Sequence, residues 1–473
     1  MRRIRSWLVR GLRLEGLFIA VYVLLGFRVG AIPITDNSML THLRTGIDMV
    51  TGGGIPRVDP YSFTAGGTDW VVQSWLASLV YGGLAQLGGF RAVVALQAVL
   101  LATLAWLMAR LARAGSPLRT ALGAGLVIGL ALPWWAPRPL LVGLVCMAAA
   151  VTVVDRRRSP WLLVPVVWVW VNSHGSFPLG AVWLGARAVG EWRDWRARPS
   201  EALRYLWAFL GAGVVAVLNP LGLRLLLFPL TALSRREVFA GIREWQSPDF
   251  VSLEARIALL FLAGIVLVLV RFRLSWRDGV PVAAFLALGL LSARNLPVAA
   301  IVFAPVVGRA LRAPESARIA PDPTPGVRRA HRAATATLLA AFVVFAAGIA
   351  TADGLALGPY PRAAVDHLER SGLLGPGHRL AHQDAVGNYL ELRYGTDVKV
   401  FIDDRYDMYP VSVTEDYRRL LAGNPQATAV LDHYGIDVVL WERRLPLASI
   451  LAEAEGWQPS FTDDEWVVYE RQP

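Results

Sequence analysis

The chain has 473 residues, 55% of them hydrophobic and 18% charged, with a mean hydropathy of +0.45. Roughly 25% charge is usual for soluble domains, so an ordinary soluble protein is excluded in favour of a polytopic membrane protein. The net charge of +11 is almost wholly arginine, with Lys399 the single lysine. It sits mainly in short loops between apolar runs, where it reads as membrane orientation and not as nucleic-acid binding. Cys146 is the one cysteine and lies in an apolar run, which leaves no disulfide framework and no cysteine-based metal site. The richness in Ala, Gly and Arg points to a GC-rich bacterial genome.

The N-terminal MRRIRSWLVRGLR leads into an apolar run ending at Pro33. Ala31-Ile32-Pro33 is a poor cleavage site, so the run is read as an uncleaved first span. Apolar stretches suited to membrane helices lie at 14–33, 91–109, 118–136, 139–154, 160–172, 175–190, 204–219, 256–271, 279–293, 295–311 and 333–352. Two further runs, 73–88 and 222–233, are short or amphipathic and read as re-entrant or interfacial, giving about 11–13 spans in all. With Arg2, Arg3, Arg5, Arg10 and Arg13 in the cytoplasm, the other basic loops fall on the same side. These hold Arg110/Arg113/Arg119, Asp155–Arg158, Glu191–Arg204, Arg271/Arg273/Arg277 and Arg309–Arg332. Eleven spans then put the tail outside.

The expected organisation is a mainly α, polytopic membrane helical bundle over 1–312 with an outer loop at 34–72. A cytoplasmic Pro/Arg-rich linker follows at 313–332, then a last span at 333–352 and a small extracytoplasmic α/β domain at 353–473. In that tail, Leu380–His382, Val398–Ile402 (VKVFI), Ile436–Leu440 and Trp466–Tyr469 read as strands. Helices are expected at Ala385–Leu392, Val413–Leu421, Ala427–Tyr434 and Leu445–Ala454, and the alternation implies a mostly parallel sheet. Neither a GxGxxG nor a P-loop is present.

The richest polar stretch is Thr35–Trp75, with Asp36, His42, Arg44, Asp48, Asp59 and Asp69, a Gly52-Gly53-Gly54 run and two prolines. The other outward turns add Arg138 between two prolines, Asn172 and His174, Asn219, and the loop with Arg235, Arg236, Glu237, Arg243, Glu244 and Trp245. Arg294 and Asn295 complete the set. Carboxylates there can serve as general bases, arginine forks suit phosphate, and tryptophan can stack on a sugar face or sit in the interfacial belt. Each residue also has a plainer reading. Asp36 can cap the next helix, and Asp59 precedes a proline in an ordinary turn. His42 and His174 can be satisfied helix-end histidines, Arg138 a headgroup anchor, and Glu244 the partner of a nearby arginine. Asp403-Asp404 looks like a metal pair, but neighbours on a strand point to opposite faces.

Several motifs together resemble a known class: Asp36…His42-Leu43…Gly-Gly-Gly-Ile55-Pro56…Asp59-Pro60-Tyr61-Ser62-Phe63-Thr64, Asn172-Ser173-His174-Gly175, Glu244-Trp245-Gln246-Ser247-Pro248 and Phe401-Ile402-Asp403-Asp404-Arg405. They are similar to the GT-C superfamily of membrane glycosyltransferases, in particular bacterial chains related to protein O-mannosyltransferases and the lipid A aminoarabinose transferase. The resemblance implies a GT-C-like helical bundle in the bacterial plasma (inner) membrane. It implies a sugar donor on polyprenyl phosphate and an extracytoplasmic acceptor: a cell-envelope glycan, lipid or protein. It casts Asp36 as catalytic base or acceptor-orienting group, and because Asn37 follows Asp36 where better-known members often carry a second acid, a two-carboxylate mechanism requires Asp59 or Glu244 to supply it. His42, Arg138, Asn172, His174, Arg243, Trp245, Arg294, Asn295 and Arg405 become substrate-binding candidates, and a divalent metal stays open as cofactor. Two other classes remain, a non-catalytic lipid-binding scaffold and a transporter. Against the transporter, no charged residue lies mid-span and no matching pair of broken helices is evident.

Overall fold

The computed structural model describes residues 12–195, 200–235, 237–239, 242–314 and 323–472. Arg2, Arg3, Arg5, Arg10, Arg236 and most of the Pro-rich linker lie outside them. In chain order the longer helices are α1 Leu14–Gly30, α2 Ser38–Asp48, α3 Trp75–Leu111, α4 Pro117–Ala131, α5 Leu140–Asp155 and α6 Leu163–Ser173. Then come α7 Pro178–Trp195, α8 Ser200–Val215, α9 Leu223–Ser234, α10 Leu253–Val270, α11 Trp276–Leu291, α12 Leu296–Ala310 and α13 Pro325–Thr351. The tail carries α14 Arg362–Arg370, α15 Asp384–Tyr394, α16 Val411–Ala422, α17 Ala427–His433 and α18 Pro446–Glu453. Its strands are β1 Leu380–Ala381, β2 Val438–Glu442, β3 Trp457–Thr462 and β4 Trp466–Arg471.

The protein is mainly helical with a small sheet near the C-terminus. Four helices among the described residues are long and apolar enough to cross a membrane: Trp75–Leu111, Pro117–Trp134, Leu253–Val270 and Pro325–Thr351. That is fewer than the eleven expected, and length is the main reason. At 1.5 Å per residue, an 11-residue helix such as α6 spans about 16 Å of a roughly 30 Å hydrocarbon layer. α7 has 18 residues but carries Arg187, Glu191, Arg193 and Asp194. The run 73–88 is not a separate element. It continues into 91–109 as α3, broken at Gly89, where φ is 68°. The last helix also starts before 333, because Thr324 caps it and Pro325 occupies its first turn, so 325–332 is helix and not linker.

Two compact units divide the chain. The first comprises Met1–Pro33, Gly88–Pro229 and Ile242–Gly354; the second comprises Ile34–Leu87, Leu230–Gly241 and Leu355–Pro473. The first loop thus belongs with the tail. In the first unit, α12 is apolar all round and buried at every position from Leu296 to Gly308, packed by α4, α5, α10 and α11. α13 is apolar from Ala333 onward but buries only Ile349, as a lipid-facing helix does. Ion pairs join one end of this unit. Arg309 holds Asp155 at 2.8 Å and Asp278 at 2.7 Å, and Arg277 lies 3.3 Å from both Glu191 and Glu201. Arg119 reaches the Leu311 and Arg312 carbonyls at the end of α12. The basic loops that the sequence puts on one side therefore meet at one end of the unit.

In the second unit the sheet runs β1-β2-β4-β3. β1–β2 is parallel, but β2–β4 and β3–β4 are antiparallel, so the expected mostly parallel sheet is mixed. VKVFI is not a sheet strand. Val400 instead makes a lone bridge to Ser62 of the first loop, through Val400 N–H to Tyr61 O at 3.0 Å and Phe63 N–H to Val400 O at 3.1 Å. The core joins Leu40 of α2 to Val365, Leu380, Leu390, Val438 and Val468. α2 also crosses the first turns of α3, where Gly46 and Gly82 meet backbone to backbone: a Cβ on either would fall inside the other helix's backbone.

Candidate functional site

Four of the sequence candidates come together in the first unit: Arg138, Glu244, Trp245 and Arg294. Arg138 precedes α5 and Arg294 precedes α12, whose far ends are Asp155 and Arg309. The cluster therefore lies at the end of the unit away from the basic loops. Pro137 and Pro139 hold the Arg138 turn, and Gln97 Nε2 donates to the Pro137 carbonyl at 3.0 Å. Short 3-10 turns at Arg243–Trp245 and Ala293–Asn295 are stitched by Ala293 N–H to Gln246 O at 2.9 Å and by Ser292 Oγ to Glu244 O at 3.1 Å. Glu244 forms an ion pair with Arg138. The Arg294 guanidinium lies over the Trp245 ring, 4.1 Å from its centroid. Desolvation lowers Arg294 to about 10, Arg138 pushes the same way, and Glu244 opposes them. It stays charged at neutral pH. Two guanidiniums, one carboxylate and an aromatic face are the chemistry of an anion site with a stacking wall.

The other first-unit candidates serve their own turns. Buried Asn172 Nδ2 donates to the Trp168 carbonyl at 2.7 Å. His174 Nδ1 accepts from Ser176 N–H at 3.1 Å and meets Ser176 Oγ at 2.8 Å, which is the satisfied helix-end arrangement. Asn295 Nδ2 donates to Leu288 O at 3.3 Å, and Arg243 is exposed.

In the second unit, Asp36 lies half-buried just before α2, and its carbonyl accepts from Met39 N–H at 3.2 Å. His42 Nδ1 meets Ser78 Oγ at 3.0 Å across the helix crossing. The two oxygens of Asp59 are engaged by Tyr61 N–H, by the N–H and hydroxyl of Ser62, and by Arg405 Nη1 at 2.8 Å. That makes Asp59 the anchor of the first loop. Arg405 also bonds Asp403 at 2.5 Å and Glu391 at 3.2 Å, and its guanidinium stacks between Tyr61 and Trp70. Burial and the charge of Asp403 raise Glu391 well above the carboxylate range. Burial works against ionised Asp403 too, but Arg405 outweighs it and holds Asp403 low. Arg405 is thus a buried structural hub.

Sequence reasoning missed an acidic group beside Asp36. Asp404 N–H donates to Asn388 Oδ1 at 3.2 Å, Asn388 Nδ2 donates to the Asn37 carbonyl at 3.3 Å, and Ser38 bonds the Asp404 carboxylate. Burial raises Asp404 to about 7, with the charges of Asp403, Asp384 and Asp36 adding to it. Burial and the charges of Asp36, Asp404 and Asp384 also raise Tyr360, whose hydroxyl meets Asn37 Oδ1 at 3.4 Å. The signal was present in the Asp403-Asp404 pair, but Asp384 and Tyr360 carried no spacing that linked them to it. Among the described residues no group of three or more His, Cys, Asp or Glu is placed to hold a metal ion. No family model and no curated protein matches the chain.

Proposed function

We propose that the protein is a membrane glycosyltransferase that moves a sugar from a polyprenyl-phosphate donor to an extracytoplasmic acceptor. The observation that carries the reading is the Arg138–Glu244–Trp245–Arg294 cluster, a cationic and aromatic site at helix ends opposite the basic loops. If those loops face the cytoplasm of a bacterial plasma membrane, the cluster faces outward. Arg138 and Arg294 receive the donor's phosphate and stabilise it as it leaves. The acceptor hydroxyl gives its proton to a base, the role that the motif resemblance gives to Asp36, and its oxygen bonds to the anomeric carbon. The bond from that carbon to the phosphate oxygen breaks, and its electron pair goes to the phosphate. The four apolar helices of spanning length and the motif resemblance support a lipid-linked substrate.

Membranes containing the protein are given a labelled sugar on polyprenyl phosphate. Transfer to an envelope acceptor is expected, with Asp36→Asn abolishing it and Arg294→Ala reducing it by about 100-fold or more. Near wild-type transfer by Asp36→Asn, expressed at the same level, would refute the base. Lipid-phosphate binding without any transfer would leave a lipid-binding protein instead.

A further inference from the structure

A groove of about 370 Å³ opens between α1, α3 and α13 in the first unit. Val23 and Phe27 of α1, Val99, Thr103 and Trp106 of α3 and Phe342 of α13 line it. The Phe27 and Phe342 rings lie 4.3 Å apart, and Val99, Trp106 and Phe342 are exposed. The Thr103 hydroxyl donates to its own helix, at the Val99 carbonyl 2.7 Å away, so the lining is almost wholly apolar. α3 and α13 are both long and apolar enough to cross a membrane, where hydrocarbon meets this face. Val99, Thr103, Trp106 and Arg110 follow at helical spacing and share one face of α3. From Val99 to Arg110 that face runs about 16 Å, close to one leaflet of a roughly 30 Å hydrocarbon layer. Arg110 closes the stripe with a charge. Its guanidinium lies 5.4 Å from the Trp106 ring centroid, and its Nε has no hydrogen-bond partner. Arg113 and Arg156 add like charge around it, and Glu15 opposes them. The Glu15 carboxylate is taken by Arg113 at 2.8 and 2.5 Å and by Thr120 at 3.2 Å.

We infer that this groove seats one anionic diacyl phospholipid, with an acyl chain along Val99–Trp106 and the headgroup phosphate on Arg110. The lipid enters from the leaflet on the side of the basic loops, where Arg113 and Arg119 also lie. Charge decides the headgroup: a guanidinium beside two further arginines favours a net negative lipid over a zwitterionic one. Length decides the tail: a stripe one leaflet deep suits an acyl chain, and a free phosphate has no use for the groove. Trp106 serves both parts, with its ring under the guanidinium and its edge in the groove. A lipid held here packs against α13, which buries only Ile349 in protein, and ties it to α1 and α3. The site stands at the opposite end of the unit from Arg138 and Arg294, and it does not depend on glycosyl transfer.

The test uses the full chain reconstituted in phosphatidylcholine vesicles. A minor share of the lipid is replaced by phosphatidylglycerol or phosphatidylcholine with brominated chains, which quench a tryptophan they touch. Subtracting the signal of Trp106→Phe, made in each background, isolates quenching at Trp106. In the wild type the anionic lipid is expected to associate there about fivefold more strongly than the zwitterionic one. Arg110→Gln should bring the ratio to unity, and Arg110→Lys should keep most of it. Thr103→Phe, which fills the groove and leaves the charge, should also abolish the preference. A wild-type ratio of unity overturns the inference, as does an unchanged ratio in Arg110→Gln. A preference that survives Thr103→Phe shows that Arg110 only gathers anionic lipid at the interface, and overturns the seat. Inorganic phosphate should leave the ratio in place against a chloride control of equal ionic strength. Loss of the preference to phosphate would assign Arg110 to a free anion and overturn the lipid. Should Arg110→Gln not fold, the wild-type ratio and Thr103→Phe still decide.

Discussion

Replacing Arg405 by alanine should cost the second unit most of its stability. The guanidinium bonds Asp403, Asp59 and Glu391 at 2.5, 2.8 and 3.2 Å, and is 6% exposed. It lies 4.9 Å from the Tyr61 centroid and 4.5 Å from that of Trp70. Removing one partner of a buried ion pair costs about 3–5 kcal/mol, and a desolvated cation on aromatic faces adds about 1–2 kcal/mol. Burial and the charge of Asp403 raise Glu391 well above the carboxylate range, so it holds a negative charge less firmly than Asp403, which Arg405 holds low. The total, about 4–7 kcal/mol, compares with the roughly 5–15 kcal/mol that holds a whole domain.

Thermal unfolding of the solubilised chain, followed by tryptophan fluorescence, measures the effect. Limited proteolysis reports whether residues 355–473 open first. Arg405→Lys should fall between wild type and alanine, because it keeps the charge and loses the fork. Adding Asp403→Asn and Asp59→Asn to Arg405→Ala should recover part of the loss. Asp403, held low, contributes stability above its unfolded value near ~3.9 and loses it as pH falls through the folded value. The alanine penalty is therefore largest near neutral pH and shrinks on acidification. A penalty below about 1 kcal/mol at neutral pH, or one that grows toward pH 4, would refute the hub.

Three further outcomes follow from single residues. Gly82→Ala should lower the melting temperature, because its Cβ falls inside the Gly46 backbone and overpacking costs about 1–3 kcal/mol or more. Gly83→Ala, whose Cβ meets only Val50 Cγ2 at 4.0 Å, should be neutral or stabilising by up to about 1 kcal/mol; equal losses at both would sink the close crossing. Asp404, raised to about 7, holds a proton in the folded state that the unfolded state has released, so it removes stability as pH rises from ~4 to ~7. Asp404→Asn should leave stability near pH 4 unchanged and raise it at pH 8 by at most about 4 kcal/mol; denaturation midpoints that rise equally at both pH values would contradict this. Buried His382 accepts Phe401 N–H at Nε2 (3.0 Å) and meets Gln383 O at Nδ1, and desolvation lowers it to about 4. The unfolded histidine takes a proton below ~6.5 and the folded one does not, so stability drops by up to about 3 kcal/mol between those values. His382→Gln should flatten that part of the profile, and an unchanged slope there would show that another group sets it.

What the sequence made legible were features set locally. The helical stretches of the tail and the β-branched run at Val438 follow local pattern, and the observed bounds fall within a few residues of those read. The arginine cluster was readable for a different reason. Its members end separate helices on the side away from the basic loops, and charge asymmetry is visible in one dimension. Long-range pairing was not. Asp59 and Arg405 are 346 residues apart, and nothing in DPYSFT or FIDDR says that one anchors the other. VKVFI has the composition of a central strand, yet it pairs with the first loop because Tyr61 and Phe63 offer the backbone partners. Hydropathy also gives α12 and α13 the same reading, although one is wrapped by helices and the other bares its sides. Apolar character alone does not separate a helix buried in protein from one facing lipid.

The surroundings of each arginine group say more than the arginines themselves. At the basic end, Arg157, Arg187, Arg277 and Arg309 form ion pairs with Asp155, Glu191, Glu201 and Asp278. Around Arg405 three carboxylates face one guanidinium, and burial with the charge of Asp403 raises Glu391 well above the carboxylate range. Both groups are ion-pair networks that tie elements of one unit together. The Arg138–Glu244–Trp245–Arg294 group differs in access. Arg405 is 6% exposed and its three carboxylates 0%, whereas Arg138 and Glu244 are 21% and 26% exposed, with the Arg294 guanidinium laid on Trp245. A phosphate can meet guanidiniums at such a helix end without opening the fold, as it cannot at Arg405. On the proposed function that access, more than any one motif, puts the substrate phosphate at this cluster and not at Asp59 or Arg405.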